Sequence, residues 1–526
     1  MRKILLLITL FGTLGGFAQN ISGSFESNSQ LYMDDPEKGT FAPQDALRSN
    51  NYFTLQYDKD AFSIGVQYEA YLPDAPLLGF DPALSGQGIA TYFAQYKKDR
   101  YEITAGYFYE QFGNGLALRS WEDRQLGLNN AIQGVRVQAG IAENLTLKAL
   151  YGKVRHGFEM SEGTLQAADL NYDLSPNWQF GGSVVSRYIP HTNPDENFPS
   201  YVNIYAGRGG WFGQSISLEA TYLYKTPDLS TGVVGSYFSG SALQLDANYS
   251  TKGFAASMSF RRLENFGFYA DRTANQNQYN AEVINYLPAL TKQMDFGLQN
   301  IYVYQAQPFL VIPEEKAGEI GGQIDLFYTF DKNSSLGKYK TKLAFNYSYW
   351  SQIDAEFSGN DYVSNFGFGT HLYDDLNLEI RNKWSKKWST IINYQTQFYN
   401  KGVIEGGTET VNTQIIVAEA TRKYSKGRSL QINAQHLWTP DDRGNWLGAG
   451  AEFYLNRNWS LFANDLYNYE YAENEHYFNG GMSFKQKGTR LAASFGRQRG
   501  GLMCIGGICR FVPENYGFSL NLSTSF

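Results

Sequence analysis

Tyr516-Gly517-Phe518-Ser519-Leu520-Asn521-Leu522-Ser523-Thr524-Ser525-Phe526 closes the chain, and its alternation decides the fold. Successive side chains of an extended strand point to opposite faces. Phe518, Leu520, Leu522 and Phe526 therefore share one face, and the polar Ser519, Asn521, Ser523 and Ser525 share the other. The pattern recurs upstream. In 100–110, Tyr101, Ile103, Ala105, Tyr107 and Tyr109 alternate with Glu102, Thr104, Gly106, Phe108 and Glu110. Leu343, Phe345, Tyr347 and Tyr349 oppose Lys342, Asn346 and Ser348. In 376–384, Leu376, Leu378, Ile380 and Trp384 oppose Asn377, Glu379, Arg381 and Lys383. Apolar faces of this kind suit lipid and polar faces a wet lumen. Glu379, Arg381 and Lys383 are the candidate lumen charges.

The terminal stretch also resembles the C-terminal assembly signal of bacterial outer-membrane β-barrels, carried on Phe518, Leu520, Leu522 and Phe526. That resemblance implies contact with the barrel-assembly machinery during biogenesis.

Between the alternating segments one type of short polar turn repeats. Ser175-Pro176-Asn177-Trp178, Ser385-Lys386-Lys387-Trp388 and Asn456-Arg457-Asn458-Trp459 each place polar residues before a Trp that opens the next strand. A Trp there sits at headgroup level with its N–H wet. Further short turns are expected at 58–60, 97–99, 142–144, 207–210, 251–253, 331–335, 425–427 and 485–488, eleven in all. Eleven turns join 22 strands, and one more at each terminus gives 24, with a range of 20–26. Strand 1 is expected near Ser24–Met33 and the last at Gly517–Phe526. The fold class is all-β, a transmembrane antiparallel up-and-down barrel. Short turns belong on the periplasmic side in such barrels, which puts both termini there.

Composition agrees. Aromatic residues make up 16% and charged residues 18%, with 53 Gly and a mean hydropathy of −0.40. Soluble domains carry about 25% charged residues. Barrels add aromatic girdles, and their lumen faces lower the average hydropathy. Beyond the first residues no apolar run reaches the roughly 18 residues of a spanning helix. Arg2 and Lys3, the apolar Ile4–Leu14 and the small residues at 16–18 read as a signal peptide over 1–18, addressing 19–526 to a Gram-negative outer membrane. Its removal takes two basic residues and leaves 42 Lys and Arg against 51 Asp and Glu, a net charge of −9. That balance excludes nucleic acid as a partner.

Residues 264–319 break the rhythm with Pro288, Pro308, Pro313 and an Asn/Gln-rich run at 275–280. The reading stays open between a lumen plug or constriction, an exposed loop and a missed strand pair. Here Ile284-Asn285-Tyr286-Leu287-Pro288-Ala289-Leu290-Thr291-Lys292-Gln293 and Gln305-Ala306-Gln307-Pro308 appear, and later Cys504-Ile505-Gly506-Gly507-Ile508-Cys509-Arg510. These motifs resemble an uncharacterised outer-membrane family of Bacteroidetes, the DUF6029 type. The resemblance covers nearly the whole mature chain and implies location and fold, with no activity to transfer.

Cys504 and Cys509 are the two cysteines, and in an oxidising compartment they read as a disulfide in the final outer loop. A redox or metal pair is the alternative, but two ligands are too few for zinc. Arg497, Arg499 and Arg510 beside them read as solvated loop charge or a small basic lip. His156, His191, His371, His436 and His476 are scattered, so no catalytic residue, cofactor or metal site is assigned and an enzyme is not expected. Asp34-Asp35, Asp374-Asp375 and Asp441-Asp442 read as solvated turn carboxylates. Two functions remain: porin- or channel-like passage of a small hydrophilic solute, or a non-conducting barrel subunit of an outer-membrane machine with envelope protein partners. In either case the outward face meets outer-membrane lipid.

Overall fold

The computed structural model describes residues 20–191, 198–230, 236–272, 279–306, 316–406, 408–470 and 474–526; the leader and part of the Asn/Gln-rich run lie outside them. Twenty-four strands form one antiparallel sheet. It begins with Ile21–Tyr32, Leu47–Lys59 and Phe62–Leu72 and ends with Glu475–Gln486, Thr489–Gln498 and Asn515–Ser525. Each strand pairs with the one before it, and the first pairs with the last through Ser24↔Ser525 to Tyr32↔Gly517, which closes the barrel. Closure leaves no strand edge unpaired. No helix among the described residues is long and apolar enough to cross a membrane.

The register sorts every strand into two faces. Phe518, Leu520 and Phe526 point outward and are about half exposed, as are Tyr101, Ile103, Leu378 and Ile380. Glu102, Thr104, Asn377 and Asp375 of the same strands point inward and are buried against other inward side chains. Phe526 ends the chain with a reciprocal backbone pair to Gly23 at 3.0 Å each way.

Eleven connections lie at the end of the barrel that carries both termini, and ten fall where the sequence places them. Their chemistry is shared. Ser175 Oγ accepts the Trp178 N–H at 3.2 Å, Ser385 Oγ the Trp388 N–H at 3.1 Å, and Asn456 Oδ1 the Trp459 N–H at 3.0 Å. A short polar side chain thus closes each turn on the backbone of the Trp that opens the next strand. The exception is 207–210. Those residues lie inside Tyr201–Phe212, and the turn falls at 213–215. Gly209 and Gly210 there leave room for the rings of Phe180 and Phe212, so the glycines serve packing. At 330–341 the connection is longer and holds a 3-10 turn at Gly337–Tyr339.

At the opposite end the connections differ widely. Two are tight, at 157–158 and 359–360, the first using Gly157 at φ 60°. Three are long: 109–131, 265–317 and 499–514. The last holds a two-stranded hairpin, Gly501–Ile505 with Ile508–Val512.

Candidate functional site

The three long connections fold inward and meet inside the barrel. From 265–317, Phe266, Phe268, Tyr269, Ile284 and Leu287 pack with Phe112, Leu116 and Leu118 of 109–131. They rest on the inward residues Leu165, Val185, Ile204 and Leu223. Further along the same connection, Ala289, Leu298, Tyr302 and Tyr304 pack on Trp350, Tyr373, Tyr399, Val417, Leu437 and Trp446 of the facing wall. One segment therefore crosses the lumen from wall to wall. Of the three readings of 264–319, the inward plug is the one that the described residues 264–272, 279–306 and 316–319 support.

A segment with so little regular structure leaves its backbone carbonyls without ladder partners, and in a dry setting each needs a donor. The wall supplies them. Lys225 Nζ donates to Gly267 O at 2.7 Å, an Arg187 guanidinium nitrogen to Tyr269 O at 2.8 Å, Trp350 Nε1 to Leu290 O at 3.1 Å and Gln397 Nε2 to Tyr302 O at 3.4 Å. The cations are paired in turn: Arg187 donates to Asp228 at 2.6 Å, and Arg261 to Glu319 at 2.9 Å, whose other oxygen accepts the Tyr304 hydroxyl at 2.7 Å. Arg187, Lys225, Arg261 and Glu319 are all at most 2% exposed. Sequence reasoning missed them, although Arg187, Lys225 and Arg261 each stand two residues from an inward Val or Leu.

His156 ties the plug to the rim. One ring nitrogen lies 3.1 Å from Asp81 of the 73–85 connection and the other 2.7 Å from Glu282 of the plug. Carboxylates at both nitrogens call for two N–H donors, which only the imidazolium has. His156 is thus an ion-paired latch, where the sequence showed only one of five scattered histidines.

The cysteines form the expected disulfide, with Cα atoms 4.0 Å apart. Their position differs from expectation. The hairpin is part of the plug: Ile508 packs with Leu126 and Leu128, Ala289 N donates to Gly507 O at 2.8 Å, and Asn280 Nδ2 to Cys509 O at 2.7 Å. Arg510 is no solvated lip. It is 7% exposed and donates to Gln125 O at 2.9 Å and Gly79 O at 3.0 Å, and burial pushes its guanidinium down to about 10. Arg497 is held by Asp35 and Glu37, and Arg499 reaches Asn300 O at 3.1 Å. The acidic pairs are likewise engaged. Asp35 is 3% exposed, Asp375 lies mid-strand at 1%, and Asp442 accepts the Tyr302 hydroxyl at 2.8 Å, where burial raises the tyrosine above its ordinary range.

Below the plug, toward the termini, inward polar side chains line much of the lumen, with Phe93 among them. One cavity of about 610 Å³ there is lined by Ser24, Thr54, Gln67, Gln95, Thr104 and Arg136. Glu379 and Arg381 face inward on this side and pair with each other, the second contact at 3.0 Å. Lys383 lies past the strand end at Asn382, exposed in the connection that follows. Among the described residues no three His, Cys, Asp or Glu side chains gather as a metal site.

A family of unknown function, DUF6029, matches residues 1–526. The chain belongs to the DUF6029 family. No curated protein sequence matches it. Among solved structures the barrel is similar to the translocation pore of the P pilus usher PapC, with a TM-score of 0.51 at 10% identity over 96% of this chain and 98% of that one. The siderophore receptor PirA from Pseudomonas aeruginosa gives 0.44 at 9% over 96% and 80%, and OprD from the same organism 0.38 at 13% over 76% and 93%. The usher likeness supports a closed barrel of this size and nothing finer.

Proposed function

We propose that this DUF6029 member is an outer-membrane barrel channel whose outer mouth is closed by its own inward-folded loops, and which passes a small hydrophilic solute when they yield. The observation that carries this reading is the contrast inside one lumen. The plug packs on the wall through two apolar clusters and is fastened by buried hydrogen bonds and ion pairs, while the space beneath is lined by Ser24, Thr54, Gln95 and Arg136 together with Phe93, a mixed surface that admits a hydrated solute. The apolar outward band, the Trp-bearing turns and the closed strand pairing support a bilayer location with the termini in the periplasm.

Planar-bilayer recording tests it. The native chain should show near-zero conductance, and replacing 268–316 by a short Gly/Ser linker should open a stable large-conductance state. Continued silence in a folded, heat-modifiable barrel contradicts a channel. The extent of the dry core favours a second reading, a non-conducting subunit. In that case mild detergent would extract the protein with envelope partners in fixed ratio.

A further inference from the structure

The terminus-side mouth is electrically lopsided. Five consecutive connections, 330–342, 383–388, 422–428, 455–458 and 485–490 with their flanks, carry fifteen Lys and Arg against one acidic residue, Asp331. The other six, at 58–62, 97–101, 142–145, 173–178, 212–216 and 250–254, carry five of each sign. All fifteen basic residues are exposed, and none lies within ion-pair distance of a carboxylate among the described residues. The five connections join ten neighbouring strands, an arc on the order of 45 Å at the usual strand spacing.

Crowded like charge repels itself and persists at a cost to the fold. The register makes that cost concrete: Lys485 stands directly opposite Arg490. Like charges facing each other across a strand pair destabilise it. We propose that this half-mouth is the docking surface for an acidic protein domain on the terminus side of the membrane.

Two observations favour a protein over anionic lipid headgroups. Lys342, Lys423, Lys485 and Arg490 are on the inward face of their strands, the last lining a lumen cavity with Glu26 and Arg124, so the bilayer cannot reach them. Headgroups would also surround the whole rim, yet the other half is balanced. A solute inside the lumen would not meet the turn tips at Lys386, Lys387 and Lys487, whereas a protein covering this arc meets tips and inner edge together. The inference holds whether or not the lumen conducts.

The test compares two triple variants of the full chain in phosphatidylcholine nanodiscs. Lys386→Glu, Lys387→Glu and Lys487→Glu reverse the basic half; Lys59→Glu, Lys98→Glu and Lys252→Glu are the control. Labelled poly-L-glutamate should bind the native chain and lose affinity by at least about tenfold, some 1.4 kcal/mol, on the first set while the control stays near native. A photo-crosslinker at Asn456 in native membranes should give one discrete adduct with an acidic protein, absent from the first variant. Lys→Gln versions at the same sites repeat both readings should reversal disturb assembly. Equal probe binding by both triple variants overturns the proposal, and so does the lack of an adduct. Loss of co-purifying phosphatidylglycerol from the first variant, with probe binding unchanged, makes the patch a lipid site and overturns it as well.

Discussion

The two ends of the lumen are built from the same strands and solve opposite problems. At the loop end the inward positions are Leu165, Val185, Ile204, Leu223, Trp350 and Val417, broken by fully buried Arg187, Lys225 and Arg261. At the terminus end the same strands present Asp169, Ser183, Arg208, Asn346 and Glu419, which bond to other inward polar side chains of the wall. An inward face is thus divided along its length. Apolar side chains mark the level of the plug core, and polar ones predominate toward the termini.

Breaking the dry end is expected to have the larger effects. Removing 268–316 should change conductance most, as set out above. Next comes Arg261→Ala, which removes the cation facing buried Glu319; breaking a buried pair of this kind costs about 3–5 kcal/mol. Hydrogen exchange in 298–306 should rise strongly in this variant while the barrel strands stay protected. His156→Ala should act in the same direction at 280–287 but less, because the imidazole is partly exposed, and protection unchanged there would remove the latch. Cys504→Ser with Cys509→Ser opens a short loop, for which chain entropy gives about 2 kcal/mol. The plug should loosen near 501–512 without opening.

The wet end sharpens the comparison from the other side. Glu379→Gln breaks an exposed pair, so stability should move by less than about 1 kcal/mol. In the plug-deleted background the same change should shift ion selectivity toward anions. A large loss of plug protection on Glu379→Gln would mean that the two ends are not separate.

Much of the barrel was legible because period-2 alternation and turn chemistry are local. Ser175, Ser385 and Asn456 announce their turns within four residues, and ten turns placed correctly with an eleventh misplaced by a few residues still gave the count of 24 strands. Gly207–Gly210 misled because glycine marks both a turn and a place where a ring needs room. The plug was legible only as an interruption. Its contacts join residues far apart in sequence, such as Asn280 with Cys509, Tyr286 with Gly115 and Leu298 with Gln435, and no local pattern encodes them. For the same reason Arg510 read as a solvated charge and His156 as an ordinary histidine. The buried Lys225 and Arg261 left a usable trace: inward charges flanked by inward aliphatic residues.

The central claim is that residues 279–306 lie across the lumen against the far wall. Leu298 of the plug packs on the backbone of Gly448, where an added Cβ would stand 3.2 Å from Leu298 Cγ. Leu298→Cys with Gly448→Cys, in a chain carrying Cys504→Ser and Cys509→Ser, places two thiols at this contact in native outer membrane. Near-complete cross-linking on mild oxidation, seen as a band shift reversed by reductant, is the expected result. A folded barrel whose two thiols stay free and accessible to a membrane-impermeant maleimide would contradict the account.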